Sequence, residues 1–286
     1  MPKEGMTRLQ IKTPAKVNLC LDITAKRADG YHELSMIMQE IPLYDEITIE
    51  KADKITVSCN LKYIPCNESN LAYKAAAAFF EHTGISGGAD IYLHKNIPSG
   101  AGLGGGSSNA AGVITALNEI YQAGLTPSRR MEIGEKIGAD VPYFVLGGAC
   151  HAQGIGEKLT QILPLKSCWM VLVKPPFSVS TKWAYQNFNL NDVKKRPDIN
   201  AIKSAMRRND IYTVGRNMIN VLENAVIPQF LPIAKNKKTM LSFGAVSSVM
   251  TGSGSAAFGL FDDERKADKC FEAVKNNTEK AWVLRL

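Results

Sequence analysis

The chain has 286 residues, 45% of them hydrophobic and 21% charged, with a formal net charge of +7 and six cysteines. These proportions exclude a disordered chain, a collagen and a disulfide-stapled miniprotein, and no stretch approaches the ~18 apolar residues of a membrane helix. The cysteines, at 20, 59, 66, 150, 168 and 270, show neither C-x-x-C spacing nor a zinc pattern with histidine, so they read as scattered reduced thiols. The positive balance suggests anionic partners: phosphates, nucleic acid or a membrane surface. The densest basic cluster is Lys194, Lys195, Arg196, Lys203, Arg207 and Arg208. It is broken by Asp198 and lacks interleaved aromatics, so it reads as a solvated face. The opening MPKEGMTRLQ shows no signal or transit pattern, and a cytoplasmic location is expected.

Residues 17–24 alternate as a strand, with Val17, Leu19, Leu21 and Ile23 on one face and Asn18, Asp22 and Thr24 on the other. Asp29-Gly30 then separates this run from a second, carrying Leu34, Met36 and Met38, which predicts a hairpin. Residues 45–50 and 54–59 read as two further strands. A helix is expected over 71–82, opened by Asn70 and closed by Gly84. A strand at 89–95 leads into the glycine-rich segment 98–107 and a helix at about 108–122. Another helix covers about 128–137, followed by short strands near 148–153 and 158–162. The second half opens with a buried strand, 169–173, stopped by Pro175-Pro176. Helices are expected near 181–188, 198–207, 210–222 and 229–241. Strands at 246–250 and 256–261 flank a turn, and a helix at 264–276 and a strand at 281–285 complete the chain. The mixture predicts an α+β fold with largely antiparallel sheets and a domain boundary near 160–168.

The segment from Pro98 to Asn109 is the most informative. It contains Gly100, Gly102, Leu103, Gly104, Gly105, Gly106, Ser107 and Ser108, and no residue from Asn96 to Asn118 is charged. Glycines let the backbone turn sharply and bring N–H groups close to a ligand. The helix that follows is apolar enough to be buried, and its N-terminus is an anion site. Ser107 and Ser108 are placed to cap that helix, to bind a phosphate oxygen or to ligate a metal. The alternative is a flexible surface turn. Gly100, Gly102 and Gly105 satisfy G-x-G-x-x-G, but a Rossmann loop would open the fold and a protein kinase loop would precede a strand. No Walker A Gly-Lys-Ser/Thr occurs.

The segment resembles the nucleotide-binding loop of the GHMP kinases, the family of galactokinase, homoserine kinase and mevalonate kinase. Its longer form, Gly-Leu-Gly-Gly-Gly-Ser-Ser-Asn-Ala-Ala at 102–111, resembles the branch whose acceptor is 4-diphosphocytidyl-2-C-methyl-D-erythritol. Further stretches match that branch in order: Pro14-Ala15-Lys16-Val17-Asn18-Leu19, then 26–34 with Asp29-Gly30-Tyr31-His32, then Gly138-Ala139-Asp140-Val141-Pro142, then Met250-Thr251-Gly252-Ser253-Gly254-Ser255. Asn220-Val221-Leu222-Glu223 resembles the family's Asn-Asp-Leu-Glu, with Val221 in place of the acid. Met38 stands where some members carry an aromatic.

The resemblance implies a ribosomal-protein-S5-like N-terminal domain, here 1–162, and a ferredoxin-like C-terminal domain, 163–286. It implies ATP and Mg²⁺ as cofactors and phosphorylation of the 2-hydroxyl of the methylerythritol moiety in the non-mevalonate isoprenoid route. Partners are then small molecules, ATP and the cytidine-diphosphate alcohol, with no nucleic acid and no membrane; the chain is a monomer or a homodimer. A kinase for another small alcohol and an RNA-binding module are the competing expectations.

Phosphoryl transfer to an alcohol needs a phosphate cradle, charge neutralisation and a base for the hydroxyl proton. The loop supplies the cradle, and Ser107 or Ser108 the contact to Mg²⁺. Asp140 reads locally as either a base or a helix N-cap, and the resemblance makes it the base. Lys16, at a strand start, reads locally as a surface lysine or a lysine poised at a sheet end; the resemblance makes it the cation that keeps Asp140 ionised and stabilises the developing charge. Asn18, on the same strand face, would orient the acceptor. The resemblance assigns His32 to the cytosine edge, Tyr31 to stacking and Tyr185, after Thr181, to the opposing stack. Thr251, Gly252, Ser253 and Gly254 form a second turn around the phosphates or a plain hairpin turn.

Overall fold

The computed structural model describes residues 6–276, 278 and 280–286. The signal-free reading of residues 1–5 lies outside them. Among the described residues two compact units are built from interleaved segments: 6–15, 43–97 and 104–147 form one, and 16–42, 98–103 and the described part of 148–286 the other.

Strands β1 (Arg8–Lys26) and β2 (His32–Ala52) pair with each other, and each contributes to both units. They meet at the expected Asp29-Gly30 turn, where the Arg27 N–H donates to the Tyr31 carbonyl at 2.8 Å. In the first unit, β3 (Thr56–Cys59) runs parallel to β4 (Gly88–His94), and β4 runs antiparallel to β2 from Glu46↔His94 to Ala52↔Gly88. Between them lies α1 (Leu71–Thr83). The Asn70 side chain accepts from the Ala72 N–H at its start, and Gly84 closes it in the left-handed conformation. Helices α2 (Gly105–Ile120), α3 (Pro127–Glu135) and α4 (Val141–Leu146) complete this unit. Ile47, Ile49, Phe79, Ile91, Val113 and Leu117 form its core, taken from alternate strand positions and from the inner faces of α1 and α2.

Residues 45–50 are therefore not a separate strand but the continuation of β2. Residues 34–39 of β2 pair with β5 (Ala149–Gly154) and residues 46–52 with β4. Pro42 falls between these pairings, so its missing N–H costs neither of them a ladder bond.

In the second unit β5 also pairs with β6 (Lys158–Ile162). The chain continues as β7 (Trp169–Lys174), α5 (Thr181–Gln186), a 3-10 turn (Leu190–Asp192), α6 (Ile199–Arg207) and α7 (Ile211–Asn217). Then come α8 (Glu223–Val226), α9 (Leu231–Ser242), β8 (Ser247–Met250), β9 (Ala257–Phe261), α10 (Glu264–Val274) and β10 (Lys280–Arg285). The order β10-β7-β9-β8, antiparallel throughout, with helices after β7 and β9, is the ferredoxin-like β-α-β-β-α-β arrangement. The α+β expectation holds. The helix expected over 210–222 stops at Asn217. Residues beyond it leave helical periodicity because β1 recruits their backbone: the Leu21 N–H donates to Ile219 at 2.9 Å and the Val221 N–H to Leu21 at 2.9 Å.

Candidate functional site

From Ala15 to Ile23 every residue of β1 is buried, so both faces of the alternating strand are covered. The polar face carries Lys16, 5% exposed, and Asn18, 1% exposed. A surface lysine is thus ruled out. Burying an ammonium is costly unless it is partnered, and Lys16 Nζ donates to Asn18 Oδ1 at 2.6 Å. The Lys16 N–H also donates to the Leu103 carbonyl at 3.0 Å. The Asn18 N–H donates to Thr251 Oγ1 at 3.0 Å, and Thr251 Oγ1 donates to the Gly102 carbonyl at 3.3 Å. Strand β1, residues 98–103 and the 251–254 turn are therefore knit together within the second unit. Gly102 takes φ +75°, and a methyl group there would lie 2.3 Å from the Thr251 carbonyl oxygen. Only glycine fits this crossing.

The 251–254 turn is not a plain surface hairpin. Thr251 is fully buried and Ser253 nearly so. Asn220 Nδ2 donates to the carbonyls of Met250 at 2.8 Å and Gly252 at 2.7 Å. Glu223 Oε1 accepts from the Met250 N–H at 2.7 Å, while its other oxygen pairs with Lys237. Asn220 and Glu223 thus brace the turn, with buried Val221 facing the interior.

The same unit brings His32 and Tyr185 together, ring centroids 5.5 Å apart and tilted by 34°. Phe188 stands edge-on to His32 at 6.1 Å. Sequence reading missed this third ring; its one signal is an aromatic three residues beyond Tyr185. Burial, and then the charge of Lys26, push the His32 imidazole below its ordinary pKa of 6.5, so a ring nitrogen can accept a hydrogen bond at neutral pH. Tyr31 is 61% exposed, and Met38 is fully buried. Helix α5, which carries Tyr185, is opened by the Ser180 side chain accepting from the Trp183 N–H. Its Thr181 hydroxyl shares a hydrogen bond with Ser253 Oγ at 2.9 Å.

In the first unit, α2 starts at Gly105, and the preceding Gly104 at the N-cap takes φ +72° and makes no side-chain cap. The helix thus begins three residues earlier than expected, and Ser107 and Ser108 lie inside its first turn instead of capping it. The flexibility of Gly104 and Gly105 permits this early start. The first amides of a helix have no partner within it and lie at its positive end. The helix is buried, as expected, along Ser108, Asn109, Val113 and Leu117. Ser108 Oγ is buried with no hydrogen-bond partner among the described residues. Asp140 occupies the N-cap position of α4, yet its side chain makes no capping hydrogen bond. Its backbone, at φ −84° and ψ −10°, is helical, whereas a capping residue is typically extended.

Among the described residues no helix is long and apolar enough to cross a membrane, and no cluster of three or more His, Cys, Asp or Glu could hold a metal ion. Comparison with known proteins adds independent evidence. Residues 70–148 match the model of the GHMP kinases N-terminal domain, and residues 202–280 that of the GHMP kinases C-terminal domain. The chain is 46% identical over 278 residues to the 4-diphosphocytidyl-2-C-methyl-D-erythritol kinase of Clostridium beijerinckii, covering 97% of this chain and 99% of that one. It is 45% identical over 269 residues to the enzyme of the same name from Alkaliphilus metalliredigens, covering 93% and 92%. A crystal structure of a 4-(cytidine 5'-diphospho)-2C-methyl-D-erythritol kinase superposes with a TM-score of 0.83 at 34% identity, covering 96% of this chain and 98% of that one. A glycine-rich loop opening a buried helix, a buried Lys-Asn pair on β1 and these full-length likenesses lead to one conclusion: the chain belongs to the 4-diphosphocytidyl-2-C-methyl-D-erythritol kinase family, within the GHMP kinases.

Proposed function

We propose that this chain transfers the terminal phosphoryl group of ATP to the 2-hydroxyl of 4-diphosphocytidyl-2-C-methyl-D-erythritol, a step toward isoprenoid precursors. The observation that carries the acceptor is the His32–Tyr185 ring pair. A kinase of mevalonate or homoserine has no base to stack, so such a pair would serve no purpose there. Asp140 takes the hydroxyl proton. Lys16 stabilises the negative charge that develops on the transferring group, and Asn18 orients the acceptor. The amides opening α2 and the glycine segment Pro98–Gly106 are assigned to the ATP phosphates, and the 251–254 turn of the second unit is assigned a phosphate-contacting role of its own. Tyr185 and His32 hold the cytosine, and Tyr31, largely open to solvent, provides a further stacking face. Thr181 positions α5 against Ser253.

Mg²⁺ is part of the same proposal. Ser108 Oγ is a buried oxygen donor with no hydrogen-bond partner among the described residues, which suits a hard cation that prefers oxygen. When bound, the ion neutralises phosphate charge. The domain boundary at 162/163 belongs to it as well, with the two matched family domains lying on either side.

An assay of ATP consumption across three alcohols tests the reading. Product is expected from the cytidine-diphosphate substrate, with loss of turnover when EDTA removes divalent ions. Product from mevalonate or homoserine, and none from the cytidine compound, would overturn it.

A further inference from the structure

In the first unit, Thr13, Asp45, Lys95 and Asn109 form one buried polar cluster. Asp45 is wholly buried and the other three nearly so. Lys95 Nζ pairs with Asp45 Oδ2 and donates to Asn109 Oδ1 at 2.7 Å. Asn109 Nδ2 donates to Asp45 Oδ2 at 3.0 Å and to Thr13 Oγ1 at 2.9 Å. Asp45 Oδ1 accepts from the N–H groups of Asn96 at 2.7 Å and Ile97 at 2.8 Å.

One carboxylate therefore grips the two residues that lead into Pro98, and through Asn109 it also grips α2 one turn beyond the last loop glycine. Lys95 Nζ lies 3.2 Å from where a methyl on Gly105 would sit, at the first turn of α2. The glycines between these anchors have no stiffness of their own. A buried ion pair is a weak source of stability, because desolvation offsets most of the attraction. Its bonds are directional, however, and they end on both flanks of the phosphate loop.

We propose that this cluster positions the opening turn of α2 for nucleotide phosphates, and that Thr13 is a positioning residue acting through Asn109. The proposal rests on the kinase reading. Binding pre-formed amides avoids the cost of ordering them when the nucleotide arrives. The Thr13 hydroxyl is hydrogen-bonded to the Asn109 amide and lies outside the 98–108 segment, so Thr13 separates positioning from direct contact.

The test compares Thr13→Val, which keeps the shape but deletes the hydroxyl, with Thr13→Ser, which keeps the hydroxyl. ATP affinity is read from the ligand-induced shift in melting temperature, which needs no acceptor, and KM and kcat are measured alongside. Thr13→Val is expected to weaken ATP binding about three- to tenfold, as for one buried hydrogen bond. The acceptor KM and kcat stay near wild type, and Thr13→Ser restores ATP affinity. A folded Thr13→Val with wild-type ATP affinity, or one that Thr13→Ser fails to rescue, overturns the proposal. If Thr13→Val does not fold, Thr13→Ala takes its place in the same comparison. Wild-type protein that binds ATP but leaves the cytidine substrate untouched would remove the acceptor assignment and leave the cluster standing.

Discussion

Asp140 sits at the N-cap position of α4, and its carboxylate makes no capping hydrogen bond. This separates two roles that the local sequence leaves mixed. Asn and Asp cap helices about equally well, whereas only Asp accepts a proton. Asp140→Asn is therefore expected to lower kcat by about 10²–10⁴-fold, the usual contribution of a placed general base, with both KM values nearly unchanged. A steady-state assay checks this, and near-normal kcat would remove Asp140 from the chemistry. His32 gives a pH signature. Its imidazole is held below 6.5, first by burial and then by Lys26. It therefore charges at a lower pH than an ordinary histidine. The acceptor KM should rise on acidification with its midpoint below pH 6.5, and His32→Asn should flatten that rise. The same depression means that the unfolded chain takes up this proton first. The stability that His32 contributes above pH 6.5 is thus lost as pH falls toward its lower folded value.

Two elements carry the proposed acceptor side and the 251–254 turn. Helix α5 holds Tyr185 against His32, so Tyr185→Ala should raise the acceptor KM by the equivalent of about 1–3 kcal/mol, as for loss of a stacked ring. The KM for ATP should hardly move; an equal rise in both would place Tyr185 on the donor side. The short stretch from Met218 to Glu223 braces the 250–254 turn. Asn220→Leu would leave the buried carbonyls of Met250 and Gly252 without their donor. A loss of about 1–3 kcal/mol is expected, seen as a melting temperature lower by several degrees and a weaker grip on ATP. Legibility in the sequence followed locality. The caps of α1, Asn70 and Gly84, were readable because their partners lie within a turn. The stop at Asn217 was not, because it answers to Leu21 on a strand nearly 200 residues earlier. The glycine loop and Asp140 stood out by composition and neighbours. The Asp45–Lys95 pair did not, since two isolated charges 50 positions apart show no pattern until β2 and β4 lie side by side.

The chain passes between its two compact units five times. The second unit depends on early segments: Leu21 bridges to Asn220, Ala101 accepts from the Ala256 N–H at 3.3 Å, and Gly102 accepts from Thr251. A fragment of residues 163–286 would lack all three partners and would bare the faces they cover. Expressed alone, it is expected to be digested rapidly by protease and to show no cooperative melt, while the full chain shows both resistance and a sharp transition. A compact fragment with a cooperative transition would contradict this. The same interleaving constrains how such a gene can be shuffled. A single recombination event between codons 162 and 163 would join the ferredoxin-like sheet of one parent to the residue 16–42 and 98–103 segments of another. The hybrid would have to match independently drifted sequences at Leu21 and Asn220, at Ala101 and Ala256, and at Gly102 and Thr251. Viable crossovers should therefore concentrate between closely related parents, and the gene should pass through lineages as one indivisible block.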